Sequence, residues 1–360
     1  MRIRFNKCSV VIFILSVTIT ACINREKEQL LFFAADHEAI QYTGRIDFSD
    51  KKAPRFWQPG ISIRIKFQGN TCQVILRDEM LGDVVHNYIE VVVDEKATRL
   101  RLNQKIDTIT VATDLEPGVH TLSIVKNTEA NIGYLEFVGI MAESLEMPEP
   151  KFNRKIEFIG NSITSGTGSD QSAVKCGQGR WEDQHNAYLS YGAITARTLN
   201  AQYHLSSVSG IGLMHSCCGH QIVMPQIFDK IHMNADEIPW DFSLYQPDVV
   251  TICLGQNDGL QDSTLFTNKY LEFLRQLRGY YPNAVFVCLS SPMADEQLNR
   301  VMRNYLTAIV ERAKKSDNKV YSYFFSKRYF HGCDTHPDLE EHQQIASELT
   351  TFLRKVMHWE

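Results

Sequence analysis

The chain has 360 residues, enough for about two domains, and 44% apolar against 22% charged side chains excludes a disordered, collagen-like or coiled-coil protein. The 37 Lys and Arg against 42 Asp and Glu give a net charge of −5, and with no long basic run the chain lacks the electrostatic footprint of a nucleic-acid partner.

At the N-terminus Arg2, Arg4 and Lys7 precede an apolar stretch over 8–21. That stretch is too short to span a bilayer but fits the apolar region of a secretory signal peptide, so export is expected. It ends Ile19-Thr20-Ala21-Cys22, which resembles the lipobox of bacterial lipoproteins. The resemblance implies cleavage before Cys22, lipidation of its thiol and a lipoprotein anchored at the outer membrane or cell surface; the alternative is an ordinary signal peptide cut nearby. Several acyl chains on one cysteine anchor a protein stably. Loss of residues 1–21 leaves 34 basic against 42 acidic side chains, or −8, a balance that suits neutral substrates. No later stretch approaches about 18 consecutive apolar residues, so the expected membrane contact is the lipid alone. A tether over 22–39 completes this part.

From 40 to 143 the pattern has period two. Ile61, Ile63, Ile65 and Phe67 alternate with Ser62, Arg64 and Lys66, then Gly69-Asn70 turns the chain into Cys72, Val74 and Leu76, a hairpin signal. Short strand-like runs follow at 88–93, 109–111, 119–125 and 134–140, separated by turn formers such as Pro117-Gly118. Repeated short strands without helices predict a β-sandwich or jelly roll. The proline-containing stretch within 144–151 reads as a linker.

Over 152–360 strands and helices alternate, the signature of an α/β domain with a parallel sheet. Strands are predicted at 156–159, 203–205, 249–254, 285–289 and 320–324. Leu298, Val301, Met302, Tyr305, Leu306, Ile309, Val310 and Ala313 draw one apolar helical stripe, and Ile345, Leu349, Phe352, Leu353 and Val356 draw another. Setting aside Cys8 and Cys22, seven of the nine cysteines remain, an odd number that cannot all pair within one chain. Cys72, Cys253 and Cys288 sit in apolar strand-like runs as expected for buried free thiols, whereas Cys176, Cys217, Cys218 and Cys333 in loop-like sequence are the disulfide candidates.

In an open parallel sheet ligands bind beyond the carboxyl ends of the strands, so the loops that follow strands are where chemistry is expected. Gly160-Asn161-Ser162-Ile163-Thr164 can present a serine hydroxyl at a helix start, though Ser162 could equally be a helix cap. In Ser207-Val208-Ser209-Gly210-Ile211-Gly212 a glycine allows a backbone N–H close to a ligand, and Gly255-Gln256-Asn257-Asp258 offers a carboxamide, or merely a turn. In Cys333-Asp334-Thr335-His336-Pro337-Asp338 the proline favours an extended His336, with a helix cap around Asp338 as the plainer alternative. Together these loops supply a nucleophile, oxyanion donors and a base, the constellation for acyl transfer.

Ser162, Gly210, Asn257 and His336, in that order, resemble the four blocks of the SGNH (GDSL-like) hydrolase superfamily. Tyr42-Thr43-Gly44-Arg45, Pro59-Gly60-Ile61-Ser62-Ile63-Arg64, Pro117-Gly118-Val119-His120-Thr121 and Lys126-Asn127-Thr128-Glu129-Ala130, placed before such a domain, resemble carbohydrate esterase family 2. The resemblance implies a jelly roll joined to an α/β/α hydrolase that removes acetyl groups from plant-wall polysaccharides such as xylan. It implies Ser162 as nucleophile, His336 as base, an oxyanion hole of the Ser162 and Gly210 N–H groups with the Asn257 amide, and no metal or organic cofactor.

Two positions depart from the superfamily pattern. Asn161 stands where an Asp usually precedes the serine, and Cys333 stands where an acidic residue usually lies three before the histidine. Asp334, two before, faces the same side in an extended loop and could orient the imidazole, or a backbone carbonyl could do so, leaving a Ser-His dyad. His215, Cys217, Cys218 and His220 cluster without a common zinc spacing and are read as a disulfide or plain loop residues. Trp181, Tyr188 and Tyr191 could stack on sugar rings, with core as the alternative for Tyr188 and Tyr191 at their helical spacing. The competing functions are an SGNH esterase or lipase for other acyl esters, and a noncatalytic glycan-binding lipoprotein.

Overall fold

The computed structural model describes residues 29–233 and 238–360; the segment read as a signal peptide and Cys22 lie outside the described residues. In the N-terminal half the strands are β1 (Leu31–Ala34), β2 (Gln41–Thr43), β3 (Arg55–Phe56), β4 (Ser62–Gln68), β5 (Cys72–Asp78) and β6 (Tyr88–Val93). They continue with β7 (Lys96–Arg101), β8 (Ile106–Ala112), β9 (Val119–Lys126), β10 (Leu135–Ala142) and β11 (Ser144–Glu146). One antiparallel sheet has the order β1-β10-β5-β8 with β3 on β10, the other β11-β4-β9-β6-β7 with β2 on β4. The alternation read from the sequence is what closes them into a sandwich: Ile63, Ile65 and Phe67 of β4 meet Val74 and Leu76 of β5 and Phe137 of β10 in one buried core.

Two segments differ from the boundaries expected from sequence. β1 falls within the stretch read as a tether and pairs with β10 from Leu31 to Ala34, while β11 falls within the linker stretch and pairs with β4.

The second half contains β12 (Arg154–Gly160), β13 (Ala201–Ser207), β14 (Val249–Ile252), β15 (Val285–Leu289) and β16 (Val320–Tyr323) in the order β13-β12-β14-β15-β16, all parallel. Its helices include α1 (Ser162–Ser165), α2 (Tyr191–Thr198), α3 (Met224–Ile227), α4 (Ser263–Tyr280), α5 (Glu296–Ala313) and α6 (Leu339–Met357). Strand side chains alternate between two cores. Ile156, Phe158, Val249 and Val287 pack under α2 and α6, while Ile159, Val250, Ile252 and Phe286 pack under α4 and α5. The apolar stripe from Leu298 is the buried face of α5. Strand order reverses around β12, so the loops after β13, β12 and β14 lie side by side at one sheet edge.

Candidate active site

The Ser162 loop is built by a tight turn. A Cβ on Gly160 would stand 2.0 Å from the Thr164 hydroxyl, so only glycine lets the chain pass from β12 into α1. The helix cap is Asn161, whose side-chain oxygen accepts the Ile163 N–H at 3.2 Å. Ser162 is therefore the first helical residue and its hydroxyl is free of capping. It is 7% exposed, and among the described residues its own N–H donates no hydrogen bond. Tyr191 lies beneath this turn, fully buried, with its hydroxyl 2.8 Å from that of Thr164.

His336 reaches Ser162 from the loop before α6. Its Nε2 stands 2.8 Å from the Ser162 Oγ, and its Nδ1 stands 3.0 Å from the Cys333 carbonyl oxygen. A carbonyl only accepts, so Nδ1 carries the hydrogen and Nε2 turns its lone pair to the hydroxyl. Of the two ways of orienting the imidazole, the structure thus contains the carbonyl. Among the described residues the exposed Asp334 carboxylate makes no hydrogen bond to it; burial, the largest effect, lowers the imidazole pKa, while the Cys333 carbonyl and then the Asp334 charge raise it. The net result is a pKa below the ordinary histidine value of 6.5. His336 is extended, as its neighbour Pro337 requires, and Asp338 also caps α6 by accepting the Glu341 N–H at 2.9 Å.

The second and third loops are tied together by one carboxylate. Asp258 accepts the N–H groups of Leu213, Met214 and His215 at 2.9, 2.7 and 3.0 Å. Asn257 donates one amide hydrogen to the Ile211 carbonyl at 2.8 Å, which leaves the other available. Gly210 has φ +79° and among the described residues its N–H is without an acceptor. Ser162, Gly210 and Asn257 thus offer unspent donors from three adjacent strand ends, with the serine on the central strand.

Cys176 is bonded to Cys333, the residue whose carbonyl holds His336, and Cys217 is bonded to Cys218. The second bond takes both thiolates out of the His215–His220 cluster. Cys72, Cys253 and Cys288 are buried free thiols. Of the aromatic candidates, Tyr191 is core, Tyr188 carries the Arg197 guanidinium 3.9 Å above its ring, and the exposed Trp181 meets His185 edge-on at 4.3 Å. His185 was not singled out by sequence; it is buried beside His336, and among the described residues neither ring nitrogen has a partner. Glu129, which the sequence places in the block from Lys126 to Ala130 without a role of its own, accepts the Ser209 N–H at 2.7 Å. A cavity of about 580 Å³ between the halves, walled by Arg64, Lys151, Tyr188 and Tyr203, includes none of Ser162, Gly210, Asn257 and His336.

Comparison with known proteins covers both halves. The carbohydrate esterase 2 N-terminal family matches residues 42–150, and the GDSL-like lipase/acylhydrolase family matches residues 158–345. The chain is 33% identical over 337 residues to the cellulase/esterase CelE of Acetivibrio thermocellus, covering 90% of this chain and 40% of that larger protein. It is 28% identical over 335 residues to an acetylxylan esterase/glucomannan deacetylase of Cellvibrio japonicus, covering 91% of each. Among solved structures, a family two carbohydrate esterase from Clostridium thermocellum in complex with cellohexaose superposes with a TM-score of 0.81 at 31% identity, covering 89% of this chain and all of that one. With a serine-histidine site at the sheet edge and both halves matched in this order, the chain belongs to carbohydrate esterase family 2, its second half being a GDSL-like hydrolase domain.

Proposed function

We propose that this protein is a serine esterase that removes O-acetyl groups from plant cell-wall polysaccharides or oligosaccharides of the xylan type, held at the bacterial surface by lipid on Cys22. The single observation that carries the chemistry is the 2.8 Å contact between the Ser162 Oγ and the lone pair of a His336 whose pKa is lowered by burial. The names of the relatives support the acetylated polysaccharide, and the Cys22 motif supports the anchor.

Ser162 Oγ attacks the acetyl carbonyl carbon while its proton passes to His336 Nε2. The oxygen that gains the charge accepts from the Ser162 and Gly210 N–H groups and the second Asn257 amide hydrogen. As the tetrahedral centre collapses, the bond to the sugar oxygen breaks and that oxygen takes the proton from Nε2. Water then attacks the acetyl-serine, giving its proton to Nε2, and acetate leaves as Ser162 recovers its hydrogen. Loss of one oxyanion donor typically costs about 2.7 to 4 kcal/mol of barrier.

The test is acetate release from acetylated xylan and from an aryl acetate, comparing wild type with Ser162→Ala. The expected result is release from both by wild type, with preference for the polysaccharide, and none by the variant. Equal activity in the variant would assign the chemistry to another nucleophile.

A further inference from the structure

The segment that joins β9 to β10 in the sandwich is polar and yet wholly buried against the catalytic half. Lys126, Asn127, Thr128 and Glu129 are each no more than 1% exposed. Every one of them is fixed. The Lys126 ammonium donates to the Thr128 and Glu129 carbonyls at 2.7 and 3.1 Å, Thr128 donates to Asn87 at 2.5 Å, and Asn127 accepts the Tyr188 N–H at 3.0 Å while donating to Glu90 at 2.9 Å. A segment so held is a rigid platform, and the one side chain it sends toward the chemistry is that of Glu129. Its Oε2 accepts the Ser209 N–H at 2.7 Å, across 80 residues of sequence, and its Oε1 has no partner among the described residues.

Ser209 immediately precedes Gly210. Its hydroxyl is 3.0 Å from that of Thr167, just beyond α1, and the Gly210 carbonyl accepts the Cys217 N–H at 2.9 Å. The peptide that carries the Gly210 N–H is therefore pinned on both sides, and on the Ser209 side by the sandwich. We propose that Glu129 is a positioning residue for ester hydrolysis: by holding Ser209 it keeps the next N–H, that of Gly210, aimed at the developing oxyanion. The proposal rests on the esterase reading above and gives the N-terminal half a part in catalysis without any contact to sugar. Burial pushes the Glu129 pKa up to about 7, so near neutrality the side chain is present in both forms, and each keeps an oxygen that accepts from Ser209. A neutral isostere with the same oxygen therefore preserves the role.

The experiment measures kcat and KM on an aryl acetate, which carries no sugar, for wild type, Ser162→Ala, Glu129→Gln, Glu129→Asp and Glu129→Ala, with thermal unfolding of each. Glu129→Gln is expected within about threefold of wild-type kcat, because the acceptor stays in place. Glu129→Ala and Glu129→Asp, which remove or withdraw it, are expected to lose roughly tenfold to a hundredfold in kcat with KM little changed. Should Glu129→Ala not fold, Glu129→Asp decides, since it keeps the charge and loses only the reach. Wild-type kcat in a folded Asp or Ala variant overturns the proposal, and so does a Gln variant as impaired as Ala. Failure of the esterase reading shows instead in wild type and Ser162→Ala and overturns both.

Discussion

A hydroxyl becomes a nucleophile only if the base beside it is unprotonated and points the right nitrogen at it. Burial supplies the first condition at His336, lowering its pKa from 6.5, and the Cys333 carbonyl supplies the second by fixing the hydrogen on Nδ1. As pH falls through that lowered pKa the imidazole takes up a proton and can no longer accept one from Ser162. The acid limb of kcat/KM is therefore expected to have its midpoint below 6.5, read from the rate of aryl acetate hydrolysis against pH. The Asp334 charge opposes this shift, so Asp334→Asn is expected to move the midpoint lower still. Where a carboxylate is the hydrogen-bonded third member of a triad, its amide replacement costs about 10⁴ in kcat. Here the carbonyl holds the imidazole, and the plateau rate of Asp334→Asn is expected to fall by less than about tenfold. A loss near the triad value would place the carboxylate on Nδ1 during turnover.

At the scale of elements, the His336 loop is a short, irregular piece of chain with positive φ at Asp334 and Thr335, kept in place by its ends. The Cys333 N–H donates to the Gly168 carbonyl at 2.8 Å, the Gly332 N–H donates to the His336 carbonyl at 2.7 Å, and the Cys176–Cys333 bond closes a separation of 157 residues. A cross-link over so long a loop chiefly limits the unfolded chain, and its removal typically costs about 2 to 5 kcal/mol. Cys176→Ala is accordingly expected to lose unfolding free energy of that order, seen by fluorescence as a lower urea midpoint, while kcat well below the transition stays within about threefold because the main-chain bonds remain. A collapse of kcat in the folded variant would show that the sulfur bridge itself sets the carbonyl.

Elements were legible in the sequence to the extent that burial wrote a period into them. β4 and β5 alternate strictly and α5 carries a full apolar stripe, so their positions were plain. β7, Lys-Ala-Thr-Arg-Leu-Arg, is a sheet edge with mostly exposed side chains and leaves no alternation to read. β1 is an edge strand with no face fully buried, so its apolar run looked like part of a tether. The loops of the site were legible because Ser162, Gly210, Asn257 and His336 each follow a strand and can be paired with a chemical task. The N-cap role of Asn161 was hidden, since an Asn before a helix reads the same whether it caps or not.

What sequence could not carry is any contact made between the halves, because neither partner announces the other over a separation of 80 or more residues. Glu129 and Ser209 are one such pair; Arg45 and Glu157, separated by 112, are another. Arg45 leaves the sandwich between β2 and β3, 1% exposed, and its guanidinium donates to the fully buried Glu157 of β12 at 2.7 Å and to the Lys230 carbonyl at 3.0 Å, with the Phe228 ring 4.6 Å away. Glu157 also accepts from Ser206 at 2.5 Å and from the Tyr281 hydroxyl. A buried pair of this kind contributes little net stability over an apolar replacement, but loss of one partner strands a charge in the interior. Arg45→Ala is therefore expected to cost about 3 to 5 kcal/mol in urea unfolding, whereas Arg45→Met combined with Glu157→Gln regains most of that loss. Because Arg45 ties one half to an interior strand of the other, β12, wild type is expected to unfold in a single transition, followed by near-ultraviolet circular dichroism and fluorescence together. Arg45→Ala is expected to separate the two signals, the interface giving way before the parallel sheet. Coincident curves at the wild-type midpoint in that variant would show that the remaining contacts, Glu129 to Ser209 among them, are enough to make the two halves one cooperative unit.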